Sequence, residues 1–142
     1  MKIKIKKLSE KATIPTCGSP CSAGADLYSC EEVMIMPGRT TMVKTDIAVE
    51  IPEGYFGGIF ARSGLATKAG LRPANCVGVI DSDYRGEIIV ALYNDSGHMR
   101  MVEKGERIAQ LVIMPYLSTE FEEVEELSET QRQAGGFGST GK

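Results

Sequence analysis

The sequence is short of the residues on which much side-chain chemistry depends. It holds one histidine, His98, which leaves little room for a histidine-dependent triad. Its four cysteines, Cys17, Cys21, Cys30 and Cys76, match no paired C-x2-C zinc pattern. They are expected as reduced thiols, small and mostly buried. No apolar run approaches the roughly 20 residues needed to cross a bilayer. The basic start, MKIKIKKL, lacks the apolar stretch of about 7–15 residues that marks a secretory signal. These absences point to an intracellular protein, neither secreted nor held in a membrane. Any catalysis falls to carboxylates, arginines and backbone amides.

What is present is ordinary for one globular domain. A chain of 142 residues is long enough to bury a core without disulfide or metal staples. Hydrophobic residues at 42% and charged residues at 25% exclude a wholly disordered chain. The net charge of −3 is uneven: residues 1–119 carry 14 basic and 13 acidic side chains, and residues 120–142 carry 2 and 6. A near-neutral body argues against a protein that grips long nucleic acid through many phosphates. Lys2, Lys4 and Lys6 alternate with Ile3 and Ile5 and read as the wet face of a strand.

Alternation with period two predicts strands near 2–8, 25–29, 33–36, 40–51, 55–61, 77–82, 87–94, 98–102 and 107–115. Turn chemistry separates them, as in Pro37-Gly38, Pro52-Glu53-Gly54 and Lys104-Gly105. Many short strands of this spacing indicate an all-β sandwich or barrel. Only 63–69 reads as helical, with Ser63 as N-cap and Gly70 as the C′ residue. Residues 120–129 fit neither period. Residues 130–142 are polar and glycine-rich, with nothing to bury, and read as an arm beside a domain of residues 1–129.

Five stretches carry candidate chemistry. The end, Gly136-Phe137-Gly138-Ser139-Thr140-Gly141-Lys142, matches the front of a Walker loop, but no strand precedes it and no helix receives the phosphates. Its glycine amides and the Ser139 and Thr140 hydroxyls can still face phosphate, and Phe137 can stack on a flat ring. Arg62-Ser63-Gly64 places a planar cation beside free helix amides, a natural anion site. In Gly78-Val79-Ile80-Asp81-Ser82-Asp83-Tyr84-Arg85-Gly86 an apolar strand runs into a tight acidic hairpin. Asp81 is expected at the buried end of that strand, oriented toward a reacting water, and Tyr84 offers a flat face to a sugar. Asp26 is the only charge in Ala23-Gly24-Ala25-Asp26-Leu27 and could hold hydrated Mg²⁺. Gln110 stands beside an aliphatic run in Gly105-Glu106-Arg107-Ile108-Ala109-Gln110-Leu111, where a buried amide needs a defined partner.

In order and spacing, AGADL (23–27), ARSGLA (61–66), GVIDSDYRG (78–86), GERIAQL (105–111) and the run from Arg132 to Gly141 resemble the five motifs of the trimeric dUTPase family. The resemblance implies an all-β, jelly-roll-like β-barrel with one short helix. It implies a homotrimer whose C-terminal arms are exchanged between subunits, and hydrolysis of dUTP to dUMP and pyrophosphate with Mg²⁺. By the same carry-over Asp81 is the general base, Asp26 holds the metal through water, and Arg62, Ser63, Gly64 and Gln110 contact phosphate. Asn75, Gly78 and Ile89 stand where the uracil edge is read, and Tyr84 packs on the deoxyribose. Arg132, Phe137, Gly138, Ser139 and Thr140 form the closing arm.

Two positions depart from the family pattern. Ala61 stands where proline is usual, and Gln133 stands where glycine normally follows the arm's arginine. A deaminase of the same fold would need an additional catalytic glutamate near the base, and no matching motif is present. A nucleotide sensor without turnover is the remaining alternative, separable by an Asp81→Asn pyrophosphate-release comparison.

Overall fold

The computed structural model describes residues 1–136. Twelve strands fold in this range: β1 (Lys4–Lys7), β2 (Thr16–Cys17), β3 (Ala25–Tyr28), β4 (Val33–Ile35), β5 (Thr40–Lys44), β6 (Ile47–Glu50), β7 (Tyr55–Phe60), β8 (Leu71–Pro73), β9 (Gly78–Ile80), β10 (Ile89–Asn94), β11 (Arg100–Val102) and β12 (Arg107–Pro115). The all-β expectation holds. The closed barrel does not, because the described residues form four separate sheets. Their strand orders are β1-β6, β5-β10-β8, β11-β4 and β2-β3-β12-β7-β9.

Alternation explains the packing. In β10, Val90, Leu92 and Asn94 are buried while Ile89, Ala91 and Tyr93 are half-exposed. Val90 and Leu92 join Leu27, Ile35, Val43, Ile47, Val102 and Ile108 in one core. Such side chains each contribute roughly 1.5–3 kcal/mol on burial. The buried Asn94 is fully satisfied. Its amide donates to the Ile35 and His98 carbonyls at 2.9 and 2.8 Å, and its oxygen accepts from Ser96 N and Oγ. That one side chain ties β4 and β10 to the loop before β11, a cross-link an apolar residue could not make.

Several expectations are corrected. The segment 40–51 is two strands, because Asp46 adopts a left-handed φ of 53°. Strands β2 and β8 were not foreseen. β8 contains Pro73, which is tolerated because β8 lies at a sheet edge. The helical span 63–69 holds, but Ser63–Gly64 run into a π-turn over Leu65–Ala69 that starts without a side-chain cap. Ser63 does not cap it; instead its carbonyl accepts the Thr67 hydroxyl at 2.7 Å. Gly70 does close it, with φ 69° and its N–H on the Leu65 carbonyl. The cysteines are free, but only Cys30 is buried; Cys17, Cys21 and Cys76 are exposed. Among the described residues no helix is long and apolar enough to cross a membrane.

Candidate active site

The residues singled out in the sequence gather in two places. The first is built on the face of β3 and β12. Asp26 lies opposite Gln110, and Tyr28 lies opposite Arg107, with a register shift between Arg107 and Ala109. This β-bulge changes the parity of β12, so that Arg107 and Gln110, three positions apart, both come to the Asp26 face. Asp26 accepts Arg62 Nε on Oδ1 at 2.9 Å and Arg107 Nη1 on Oδ2 at 3.3 Å. Arg62 also donates through Nη1 to the Arg107 carbonyl at 3.2 Å. The half-buried carboxylate is therefore held from both sides by guanidinium groups.

Gln110 has its defined partner: Nε2 donates to the Ala61 carbonyl at 2.9 Å. Because a carbonyl is what is used, alanine in place of proline at 61 loses nothing there. The side chain also packs over Gly24, where any Cβ would lie 2.6 Å from Gln110 Oε1. Gly24 is thus required by close approach, a role the sequence did not signal. Ser63 and Gly64 follow Arg62 at the exposed start of the π-turn. A turn this short offers little dipole, so anion binding here rests on Arg62 rather than on helix amides.

The second place surrounds Asp81. The expected hairpin is not one, since β9 pairs with β7 whereas β10 pairs with β5 and β8. Residues 81–88 instead cross from one sheet to another. Asp81 is exposed, not buried, because β9 is a sheet edge and Val79 already faces out. It lines an open cavity of about 330 Å³ with Met42, Val79, Tyr84, Glu87 and Ile89. Tyr84 folds back over the turn, its hydroxyl donating to the Glu87 carbonyl at 3.0 Å and its amide to the Asp81 carbonyl at 3.2 Å. Its ring occupies the space a Cβ at Gly86 would need. Arg85 fixes the same turn through the Ser82 and Tyr84 carbonyls. Asn75 is exposed, and its amide stands 3.4 Å from where a Cβ on buried Gly78 would lie.

These two clusters do not meet within the chain. Asp26 is level with Phe60 through Gln110, whereas Ile80, just before Asp81, is level with Gly57. Three strand spacings across and about four residues along put the backbones of Asp26 and Asp81 roughly 20 Å apart. None of the residues around the Asp81 cavity belongs to the Asp26 cluster.

Arg132 folds locally, Nε donating to the Gly135 carbonyl at 2.7 Å. Gln133 adopts φ 47°, the conformation a glycine would take without cost, and carries about 1–2 kcal/mol of strain there. Phe137, Gly138, Ser139 and Thr140 lie outside the described residues.

A third cluster was not foreseen. Cys30, Asp46 and Glu87 bring one ligand atom each within 4.8 Å of one another. Their groups are already engaged with protein: Ser9 Oγ donates to Asp46, and the Asp46 amide donates to Glu87 Oε1 at 2.9 Å. The Ser9 hydrogen bond holds the Asp46 carboxyl below its usual range. Burial, with Asp46 next in effect, raises the Cys30 thiol to about 11. This cluster is a structural clasp.

The dUTPase family profile matches residues 10–141. The chain is 54% identical over 142 residues, the whole of both chains, to the deoxyuridine 5'-triphosphate nucleotidohydrolase of Nautilia profundicola. Its fold superposes on the Staphylococcus bacteriophage 80alpha dUTPase with dUPNHPP at a TM-score of 0.92 and 34% identity, covering 99% of each chain. A variant dUTPase from phage phi11 of S. aureus, described with a structural Mg(II) ion, matches at a TM-score of 0.82 and 30% identity, covering 89% of this chain and 98% of that one.

Proposed function

Because the chain belongs to the dUTPase family, we propose that it hydrolyses dUTP to dUMP and pyrophosphate by water attack on the α-phosphorus. The observation that carries this reading is the division of its groups. One cluster presents arginines and a shielded carboxylate suited to a triphosphate, and the other presents a free carboxylate beside an apolar cavity suited to a base and sugar. Hydrolysis at the α-phosphorus keeps dUTP low and supplies dUMP for thymidylate synthesis. The work is done inside the cell on a free nucleotide, with neither nucleic acid nor membrane as partner.

Asp81 orients and deprotonates the attacking water. Its exposure in one chain leaves it open to a nucleotide that another copy brings. Tyr84, held flat over Gly86, packs against the deoxyribose and leaves no space for a 2′-hydroxyl. Asn75, Gly78 and Ile89 border the base, where backbone donors and acceptors reject cytosine because its pattern is exchanged, leaving buried groups unpaired. Arg62, Ser63, Gly64 and Gln110 grip the phosphates, which carry about four negative charges that must be balanced in the transition state. The arm of residues 130–142, through Arg132, Phe137, Gly138, Ser139 and Thr140, closes over the substrate and excludes water.

The Asp26 cluster fits hydrated Mg²⁺. A carboxylate offers about four lone-pair positions, two of which take guanidinium N–H groups here. The other two can accept from water on the ion, the usual way Mg²⁺ is held by one carboxylate and substrate phosphates. When bound, the ion neutralises phosphate charge.

The same geometry supports the homotrimer that the family resemblance implies. A triphosphate held at Asp26 cannot present its α-phosphorus to an Asp81 roughly 20 Å away in the same sheet. Each site is completed by Asp81 of another copy and by an exchanged arm, the closed cyclic arrangement that pairs unlike surfaces. The test is product analysis with dUTP and Mg²⁺. Pyrophosphate and dUMP in equal amounts are expected; stepwise inorganic phosphate release, or dUTP binding without turnover, contradicts the reading.

A further inference from the structure

Arg107 has no part in the chemistry assigned above, yet three features converge on it. It is the second cation on Asp26, at 3.3 Å from Oδ2. Its carbonyl anchors Arg62, the proposed phosphate ligand, at 3.2 Å. The bulge between Arg107 and Ala109 is what turns it to the Asp26 face together with Gln110. We propose that Arg107 is a positioning residue for the metal–triphosphate end of the site, acting through Asp26. The inference rests on the dUTP-hydrolase reading.

The physical case is one of rotamer and charge. Arg62 and Arg107 take opposite oxygens of Asp26, so the carboxylate plane is fixed by two groups rather than one. Arg62 uses two of its five N–H donors on Asp26 and the Arg107 carbonyl, leaving three for phosphate. If a polyphosphate draws Arg62 away, Arg107 still holds Asp26 in place. Until then the trio carries one net positive charge, which attracts a polyanion and opposes a bare divalent cation.

The test uses the full-length protein, Mn²⁺ followed by electron paramagnetic resonance, and a non-hydrolysable α,β-imido analogue of dUTP, so that no turnover is read. In wild type, Mn²⁺ binds with the analogue and negligibly without it. Arg107→Gln is expected to raise the half-saturating Mn²⁺ in the presence of analogue about tenfold, and Arg107→Lys by no more than about threefold. In an Asp26→Asn background, Arg107→Gln is expected to add no further shift, since its effect runs through Asp26. Unaltered Mn²⁺ binding in a folded Arg107→Gln protein, or equal shifts with and without Asp26, overturns the proposal. If Arg107→Gln does not fold, Arg107→Lys carries the same cycle, and equal shifts in both backgrounds overturn it there too. Failure of the underlying reading shows separately, as wild type that does not cleave dUTP.

Discussion

Asp26 and Asp81 are the same side chain in opposite situations. Asp26 sits mid-strand, half-buried, with a guanidinium on each oxygen. Asp81 follows an edge strand, stands exposed, and faces an open cavity. A carboxylate with a guanidinium on each oxygen is held in one orientation and suits a positioning role. A carboxylate with free lone pairs beside a cavity can take a proton. The contrast supports the two roles proposed for them, and the distance between them supports a site shared between copies.

The sharpest way to break this comparison is Asp81→Asn, which keeps the shape and removes the base. It is expected to lower kcat by about 10²–10⁴-fold with little change in analogue binding, measured by pyrophosphate release and equilibrium dialysis. An equal loss of both would move Asp81 from chemistry to binding.

A second prediction concerns how the Asp81 side is shaped. Gly86→Ala puts a Cβ into the Tyr84 ring, so the ring must swing away. Discrimination between dUTP and UTP, read as a ratio of kcat/KM, is expected to fall by about 10-fold or more, in keeping with loss of a steric contact. Unchanged selectivity would remove Tyr84 from the sugar.

A third prediction concerns Asp46, which is engaged by Ser9 and faces Cys30. The facing Cys30 thiol is raised from 9.0 to about 11. The folded state therefore holds the thiol proton more tightly than the unfolded chain. That contribution is complete below pH 9 and is lost as pH rises toward 11. Urea unfolding is expected to show about 2–3 kcal/mol lost across that window, and Cys30→Ser, which keeps a donor to Asp46, is expected to lose less. Identical pH profiles would refute the clasp.

Much of this was legible in the sequence, for physical reasons that also mark the limits. Alternation located β10 within two residues because one face of it is buried. It could not show the bulge in β12, which changes parity without changing composition, and so Arg107 went unnoticed beside Gln110. The apolar run before Asp81 suggested burial, but pairing decides which strand is an edge, and pairing is not local. Gly24 and Gly86 gave no sign of their roles because close approach is a property of neighbours distant in sequence or folded back. Motif residues marked both clusters; only the order and register of β3, β12, β7 and β9 set them apart in the sheet.

The most direct test is complementation between the two carboxylates. Asp26→Asn and Asp81→Asn proteins are each nearly inactive alone and are unfolded together and refolded as a one-to-one mixture. If each site takes Asp26 from one copy and Asp81 from another, random assembly leaves about one quarter of sites with both, and about a quarter of wild-type dUTP hydrolysis returns. A mixture no more active than its components would place both carboxylates of a site in a single chain and contradict the account.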